Sequence, residues 1–215
     1  MQTNLLRYFS EIDEIYQEYF GVAENVKFDF QTEKHNWINN FYKSPIFRHI
    51  HLEHYKTDRI GVLHSNIFPV ESIDFPILGI DLIEMGGKIT GFFFDLTPII
   101  TENEDLKKLL LNFNTIIKSK KRDLPDWANF FSRDFICVSP DENEMEALII
   151  ISKIIIREYL NSSKDLINNT LKLKEIQNNY CIGQKKNDKT FKALSAEIGE
   201  DNAKYFLNNY LFPEI

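Results

Sequence analysis

Alternation of apolar and polar residues with a period of two runs through much of residues 25–96. Successive side chains of a strand point to opposite faces, so this rhythm predicts β-strands. Gly, Pro, Asp and Asn separate the alternating segments, and the gaps are too short for crossover helices, which implies an antiparallel sheet. The five predicted strands are VKFDF (26–30), IFRHIHLE (46–53), RIGVLHSNIF (59–68), FPILGIDLIE (75–84) and KITGFFFDL (88–96).

The segments before and after this sheet predict helices, because apolar residues recur there at three- and four-residue spacing. The stretch 140–160 is apolar nearly all round after Glu146, so we expect it to be well buried. One sheet with helices on both sides of it in the chain predicts a single domain over residues 1–215, built as a layered α/β sandwich. The predicted helices cover residues 4–20, 102–121, 140–160, about 164–184 and 188–211, and a last strand covers 134–140.

The segment FRHIHLEH, residues 47–54, holds three of the five histidines of the chain. On a strand, His49, His51 and Glu53 share one face. If the following turn is centred near Asp58, Glu53 lies opposite His64 on the next strand, within reach of a hydrogen bond. Asp81, in the middle of the strand after that, is costly to bury unless it is paired or protonated.

Three titratable groups, Glu53, His64 and Asp81, are therefore expected to meet on one face of three neighbouring strands. Such a group titrates as a unit, with pKa values that can move towards neutrality, as a proton donor requires. A metal site built on His51 and Glu53 is the alternative, and core histidines that only satisfy hydrogen bonds are another. No nucleotide, nicotinamide or flavin motif appears in the sequence.

The formal net charge of −7 argues against general nucleic-acid binding. Basic residues are nevertheless concentrated at 118–122 and 185–192, which indicates either a solvated face or a site for an anionic ligand or acidic partner. Two distant cysteines, the lack of a signal-peptide pattern and the lack of an apolar run long enough to span a bilayer predict a cytoplasmic protein without membrane contact.

Seven sequence blocks resemble, in order and spacing, the ferredoxin-dependent bilin reductases. The likeness extends from about residue 44 to residue 215, and each block alone is a weak signal. Together they form a strong one. The blocks are SPIFRHIHLEHYK, VLHSNIFP, FPILGIDLIE, FDLTP, RDLPDWANFFS, QKKNDKT and YFLNNYLFPEI.

This resemblance implies a three-layer α/β/α sandwich in which biliverdin IXα binds between a central antiparallel sheet and the C-terminal helices. It implies a monomer with no metal and no bound cofactor. Reduced ferredoxin is the external donor that passes single electrons to the bilin, and the protein protonates the resulting radicals. The lysines at 118, 120, 121, 185 and 186 are then expected to offer a positive rim to ferredoxin.

The resemblance also assigns roles to individual residues. Asp81 matches the aspartate that contacts the pyrrole nitrogens or lactam oxygens, His64 matches its histidine partner, and Glu53 matches the glutamate tied to reduction of the D-ring vinyl group. The expected supporting proton network is His51 and Asp188, and the expected substrate-binding residues for the propionates are Arg122, Lys189, Asn187 and Thr90.

The expected reaction is the four-electron reduction of biliverdin to phycocyanobilin, a product favoured by Glu53. Reduction of the same substrate to phycoerythrobilin is the first alternative, because pocket shape can redirect protonation. A bilin-binding carrier without turnover is the second, and a metal-dependent hydrolase is the third.

Overall fold

The sheet has eight strands in the order β1-β2-β3-β4-β5-β6-β8-β7, and every neighbouring pair is antiparallel. The computed structural model describes residues 4–32, 36–164 and 173–215. The strands are β1 (Glu24–Asn25), β2 (Asn36–Phe41), β3 (Phe47–Lys56), β4 (Ile60–Pro69), β5 (Ile77–Met85), β6 (Lys88–Thr97), β7 (Lys120–Lys121) and β8 (Ile136–Ser139).

Four of the five strands predicted between residues 25 and 96 are confirmed as β3 to β6, and the later strand is confirmed as β8. Short turns join them. Residues 57–59 link β3 to β4, and Gly86 and Gly87 link β5 to β6. Both glycines have positive φ, 58° and 80°, the conformation that a tight hairpin of this hand requires.

The predicted strand VKFDF is wrong. Strand β1 ends before it, and the unpredicted strand β2 occupies that side of the sheet. The alternation has another cause, because the rings of Phe28 and Phe30 stack at 5.1 Å and both pack edge-on against Phe206 in the C-terminal helices. Aromatic packing on a helix produced the same spacing as a strand.

One face of the sheet is covered by α1 (Asn4–Phe20), α2 (Glu104–Ile116) and α3 (Met145–Ser162). The helix predicted at 4–20 is confirmed, whereas the other two are shorter than predicted. The expectation that α3 is well buried all round is wrong, since Ile150 and Ile154 are 46% and 50% exposed. Only the sides of α3 that face the sheet, α1 and α2 are covered.

The opposite face is covered by the C-terminal helices α4 (Lys174–Lys185), α5 (Asp188–Ile198) and α6 (Glu200–Phe206), followed by a π-helical turn, Leu207–Leu211. The single helix predicted over 188–211 is broken at Gly199, whose φ of 82° ends α5. The first part of the helix predicted at 164–184 lies outside the described residues. Helices on both faces confirm the three-layer α/β/α sandwich.

Strand alternation divides the side chains between the two layers. Leu52, Leu63 and Ile80 point into the core beneath α1 to α3. Tyr55 and Phe68 belong to the second cluster, under the C-terminal helices. The side chains at odd-numbered positions of β3 and β5 and at even-numbered positions of β4 therefore face the C-terminal helices. Glu53, His64 and Asp81 are among them.

Candidate active site

Glu53, His64 and Asp81 lie side by side on three adjacent strands. The register of β3 and β4 pairs Glu53 with His64, and that of β4 and β5 pairs His64 with Asp81. Directly paired residues share one face of a sheet. The predicted convergence of these three groups is confirmed, and we call it the Glu53–His64–Asp81 row.

His64 and Asp81 are joined by a hydrogen bond of 2.7 Å between Nδ1 and Oδ1. The His64 side chain is 8% exposed and that of Asp81 is 38% exposed, so the aspartate is the member of the row that solvent or a ligand can reach. Burial alone would lower the pKa of His64, but the charge and hydrogen bond of Asp81, with the charge of Glu53, raise it above its ordinary value.

Glu53 is buried, and the indole nitrogen of Trp37 donates a 2.6 Å hydrogen bond to its Oε1. Burial raises the pKa of Glu53 to about 7, although the nearby His64 and the Trp37 hydrogen bond oppose this rise. A carboxyl group with that pKa exchanges its proton near neutrality, as a general acid must.

His51 extends the same face of β3 towards His64, with the two ring centroids 6.0 Å apart. Its Nε2 lies 3.0 Å from Oδ1 of Asn39 and donates to it, and its ring stacks on Phe41 at 4.4 Å. Burial holds the pKa of His51 well below its ordinary value, so the ring is neutral. Its Nδ1 has no hydrogen-bond partner among the described residues.

The remaining histidines do not join the row. His54 points to the opposite face of the sheet and packs edge-on against Phe9 of α1, and His35 lies outside the described residues. His49 shares the face of His51, but burial, followed by the charge of Arg48, lowers its pKa to about 3. Within the described ranges no group of three or more His, Cys, Asp or Glu side chains could hold a metal ion.

Arg122 and Thr90 lie together at one side of the row. The Arg122 guanidinium sits 5.3 Å from the ring centroid of Phe93, the residue that pairs with Asp81 across β5 and β6. Its Nη1 donates to the Thr90 carbonyl at 3.4 Å, and the Thr90 hydroxyl donates to the Ile83 carbonyl at 3.3 Å. An exposed cation thus lies over the ring of the β6 residue that pairs with Asp81.

Asn187, Asp188 and Lys189 form the start of α5. The Asn187 side chain accepts from the Lys189 backbone N–H at 3.3 Å and caps the helix. Asp188 is 66% exposed, and its carboxylate accepts from Lys192. Among the described residues, the structure does not bring Asp188 into the hydrogen-bonded row, and its expected place in the proton network stays a prediction.

The C-terminal segment closes over the buried end of the row. The Phe212 ring meets that of His64 edge-on at 5.7 Å, and the Phe206 ring contacts Trp37 at 5.0 Å. Asn66, two residues after His64 on the same face, donates a short hydrogen bond to the carbonyl of Leu211. The π-helical turn is therefore part of the site.

Sequence reasoning missed Trp37, Asn39 and Asn66 as members of the site. Trp37, Asn39 and Phe41 alternate along β2, which was a usable signal, but their neighbours Asn36 and Asn40 make the segment read as a loop. Asn66 was recognisable only by its spacing of two from His64.

The model of one protein family, ferredoxin-dependent bilin reductase, matches residues 18–213. A phycocyanobilin:ferredoxin oxidoreductase from Prochlorococcus marinus (strain MIT 9515) is 27% identical over 186 residues, which are 81% of this chain and 76% of the relative. The chain is therefore similar over most of its length to an oxidoreductase of that family.

Two solved structures share the fold. Selenomethionine phytochromobilin synthase from tomato, crystallised in complex with biliverdin, superposes with a TM-score of 0.73 at 18% identity, over 96% of this chain and 80% of the other. The structure of PcyX superposes with a TM-score of 0.66 at 20% identity, over 98% of this chain and 99% of the other.

Proposed function

The chain belongs to the ferredoxin-dependent bilin reductase family, and on that premise we propose that it reduces biliverdin IXα to phycocyanobilin. Four electrons arrive singly from reduced ferredoxin, and a proton from the protein side follows each of them, so the product carries four more hydrogen atoms than the substrate. The family uses ferredoxin as an external donor, with no bound cofactor.

The Glu53–His64–Asp81 row carries this proposal. Adding an electron to a conjugated tetrapyrrole makes it basic enough to take a proton from a nearby acid. The row offers two proton-holding units side by side: the His64–Asp81 pair, joined at 2.7 Å, and Glu53, whose pKa burial raises to about 7. Binding alone does not need such a set of titratable groups.

The exposure of each group supports a different role for each of them. Asp81 is the accessible member, so it meets the pyrrole nitrogens or lactam oxygens, and His64 behind it is hydrogen-bonded to the same carboxyl group. Glu53 serves the D-ring vinyl group. His51, neutral and held by Asn39, orients the proton network, and Asp188 is proposed to support it from the start of α5.

The propionates of the bilin are proposed to bind at the edge of the row. Arg122 is a fixed cation beside Phe93, and Thr90 lies in contact with it. Lys189 and Asn187 at the first turn of α5 add a second donor group, where the helix dipole favours an anion. A guanidinium suits a carboxylate because it can donate two parallel hydrogen bonds.

Ferredoxin is proposed to dock on the basic rim near this edge. Lys118, Lys120 and Lys121 are exposed beside Arg122, whereas Lys185 is occupied by an ion pair with Glu214. Attraction of this kind weakens as salt rises. We further propose that the enzyme acts as a monomer in the cytoplasm, where reduced ferredoxin is available; within the described ranges, no helix is long and apolar enough to cross a membrane.

Anaerobic turnover with biliverdin and reduced ferredoxin, followed by chromatography of the pigments, tests the proposal. A peak that co-elutes with phycocyanobilin is the expected result. A phycoerythrobilin peak would show that the chain reduces the same substrate at other positions. Bound biliverdin with a shifted spectrum that reduced ferredoxin leaves unchanged would identify a carrier instead. A reaction without ferredoxin is the control.

A further inference from the structure

Asn66 is a buried amide wedged between His64 and the C-terminal segment. It is 1% exposed. Its Nδ2 lies 3.0 Å from Nε2 of His64 and donates a second, short hydrogen bond to the carbonyl of Leu211. Its Oδ1 has no hydrogen-bond partner among the described residues. Both hydrogens of the amide group are thus in use, and its oxygen is not.

The partners of Asn66 fix its orientation. A backbone carbonyl can only accept, so the amide nitrogen and not the oxygen must face Leu211. The same nitrogen then faces Nε2 of His64, which must accept as well. The imidazole proton is left on Nδ1, where it faces Oδ1 of Asp81 at 2.7 Å.

We propose that Asn66 is a positioning residue that holds neutral His64 as the Nδ1–H tautomer, so that His64 donates a hydrogen bond from Nδ1 to Oδ1 of Asp81. The tautomer is a property of the substrate-free protein. Its role in reduction rests on the proposed function, since there the hydrogen bond from Nδ1 stabilises the carboxylate that remains after Asp81 has given its own proton to the bilin.

Protonation of His64 at Nε2 is opposed by this arrangement. It would set an imidazolium N–H against the N–H of Asn66. Rotating the amide would relieve that clash but would turn Oδ1 towards the Leu211 carbonyl, so that two acceptors face each other. The imidazolium therefore requires the turn Leu207–Leu211 to move, whereas the neutral ring does not.

The charged groups around His64 act in the opposite direction. Asp81 from β5 and Glu53 from β3 favour the imidazolium, whereas His51 and His49 from β3 are neutral neighbours whose protonation would oppose it. The segment packed over the ring contributes Phe212 and the Leu211 carbonyl, neither of which titrates. The hydrogen bond from Asn66 favours the neutral ring and therefore opposes the effect of the two carboxylates.

The imidazole nitrogens of His64 can be followed directly by ¹⁵N NMR in the substrate-free protein. The wild type is expected to show a protonated Nδ1 and an unprotonated Nε2 well above neutral pH. In Asn66→Leu the neutral ring loses a hydrogen bond, so the imidazolium should be about five- to tenfold more populated at a given pH above its midpoint. Asn39→Leu is the matched control, because Asn39 is equally buried but pairs with His51.

If Asn66→Leu does not fold, Asn66→Asp tests the same idea with an isosteric acceptor, and its imidazolium should persist to higher pH than in the wild type. A protonated Nε2 in neutral wild-type His64, or an unchanged titration in the variant that folds, would overturn the proposal. The ¹⁵N signals of His64 are recorded in the substrate-free protein and do not require turnover. A shifted titration in a protein that does not reduce biliverdin would support the role of Asn66 and reject the proposed function.

Discussion

The indole nitrogen of Trp37 lies 2.6 Å from Oε1 of Glu53, so a residue of β2 determines how a carboxyl group of β3 is bonded. An indole N–H can only donate, and Oε1 must therefore accept. When Glu53 is protonated, its proton is on the other oxygen. This hydrogen bond opposes the rise that burial causes in the pKa of Glu53. It also determines which carboxyl oxygen carries the proton.

Trp37→Phe is expected to raise the pKa of Glu53, because the ionised form loses a hydrogen-bond donor while an aromatic ring stays at the position. A hydrogen bond to a charged group contributes about 1.5–3 kcal/mol, which corresponds to at least a tenfold change in the proton equilibrium. Infrared titration of the buried carboxyl group measures it. Trp127→Phe changes the other tryptophan and should not alter the titration of Glu53. Equal effects from both variants would contradict the role of the Trp37 hydrogen bond.

Glu53→Gln is expected to change how stability depends on pH. The folded pKa of Glu53 is raised to about 7, above its unfolded value of about 4.5, so the folded state binds the proton more tightly. The stability that this tighter proton binding contributes is fully present below pH 4.5. It is lost as the pH rises to 7, by about 3 kcal/mol in total. Between pH 4.5 and pH 7, the free energy of unfolding in urea should therefore fall more for the wild type than for Glu53→Gln. Parallel curves would show that Glu53 does not titrate there.

Asp81→Asn is expected to retain biliverdin but to stall its reduction. The amide keeps the size of the side chain and the contact with His64, but it cannot hold and release a proton. Spectral titration should show binding within about threefold of the wild type, while anaerobic turnover falls by at least about a hundredfold, the loss typical of a missing general acid. Asp58→Asn, in the exposed turn after β3, is the control. Undiminished turnover would place the donor elsewhere.

Arg122→Leu is expected to weaken biliverdin binding by about tenfold or more, because an ionised propionate loses a charge-assisted hydrogen-bond partner. The wild-type affinity should fall as salt rises, and that of the variant should fall less. Arg59→Leu removes an equal charge from the exposed turn before β4 and serves as the control. Identical affinities in wild type and Arg122→Leu would remove Arg122 from the propionate site.

The sequence predicted the row correctly because its geometry is local. The turn between β3 and β4 is short and fixes which residues pair, so counting from Asp58 was enough to set Glu53 opposite His64. The expectation for Asp81 came from the cost of leaving a carboxyl group unpaired in an apolar strand, and the register of β4 and β5 pairs it with His64. Strand parity also separates His51 from His54, because residues three apart on a strand point to opposite faces.

The partners that come from distant parts of the chain were not predictable in this way. The Leu211 carbonyl, 145 residues from Asn66, is a main-chain group that no sequence pattern marks. The contact of Phe28 and Phe30 with Phe206 is equally remote, and its alternation imitated a strand. Strand β2 was missed because its asparagines favour turns, and tertiary pairing with β3 overrode that preference.

The three-residue turn between Lys56 and Ile60 has a consequence for how this enzyme can diverge. One residue inserted there would pair Glu53 with Leu63, turn His64 into the apolar core and leave every amino acid of the row in the sequence. A gene could thus lose the row with none of its three residues replaced. Among homologues, an inserted residue in this turn is expected to abolish the row even where Glu53, His64 and Asp81 are all present.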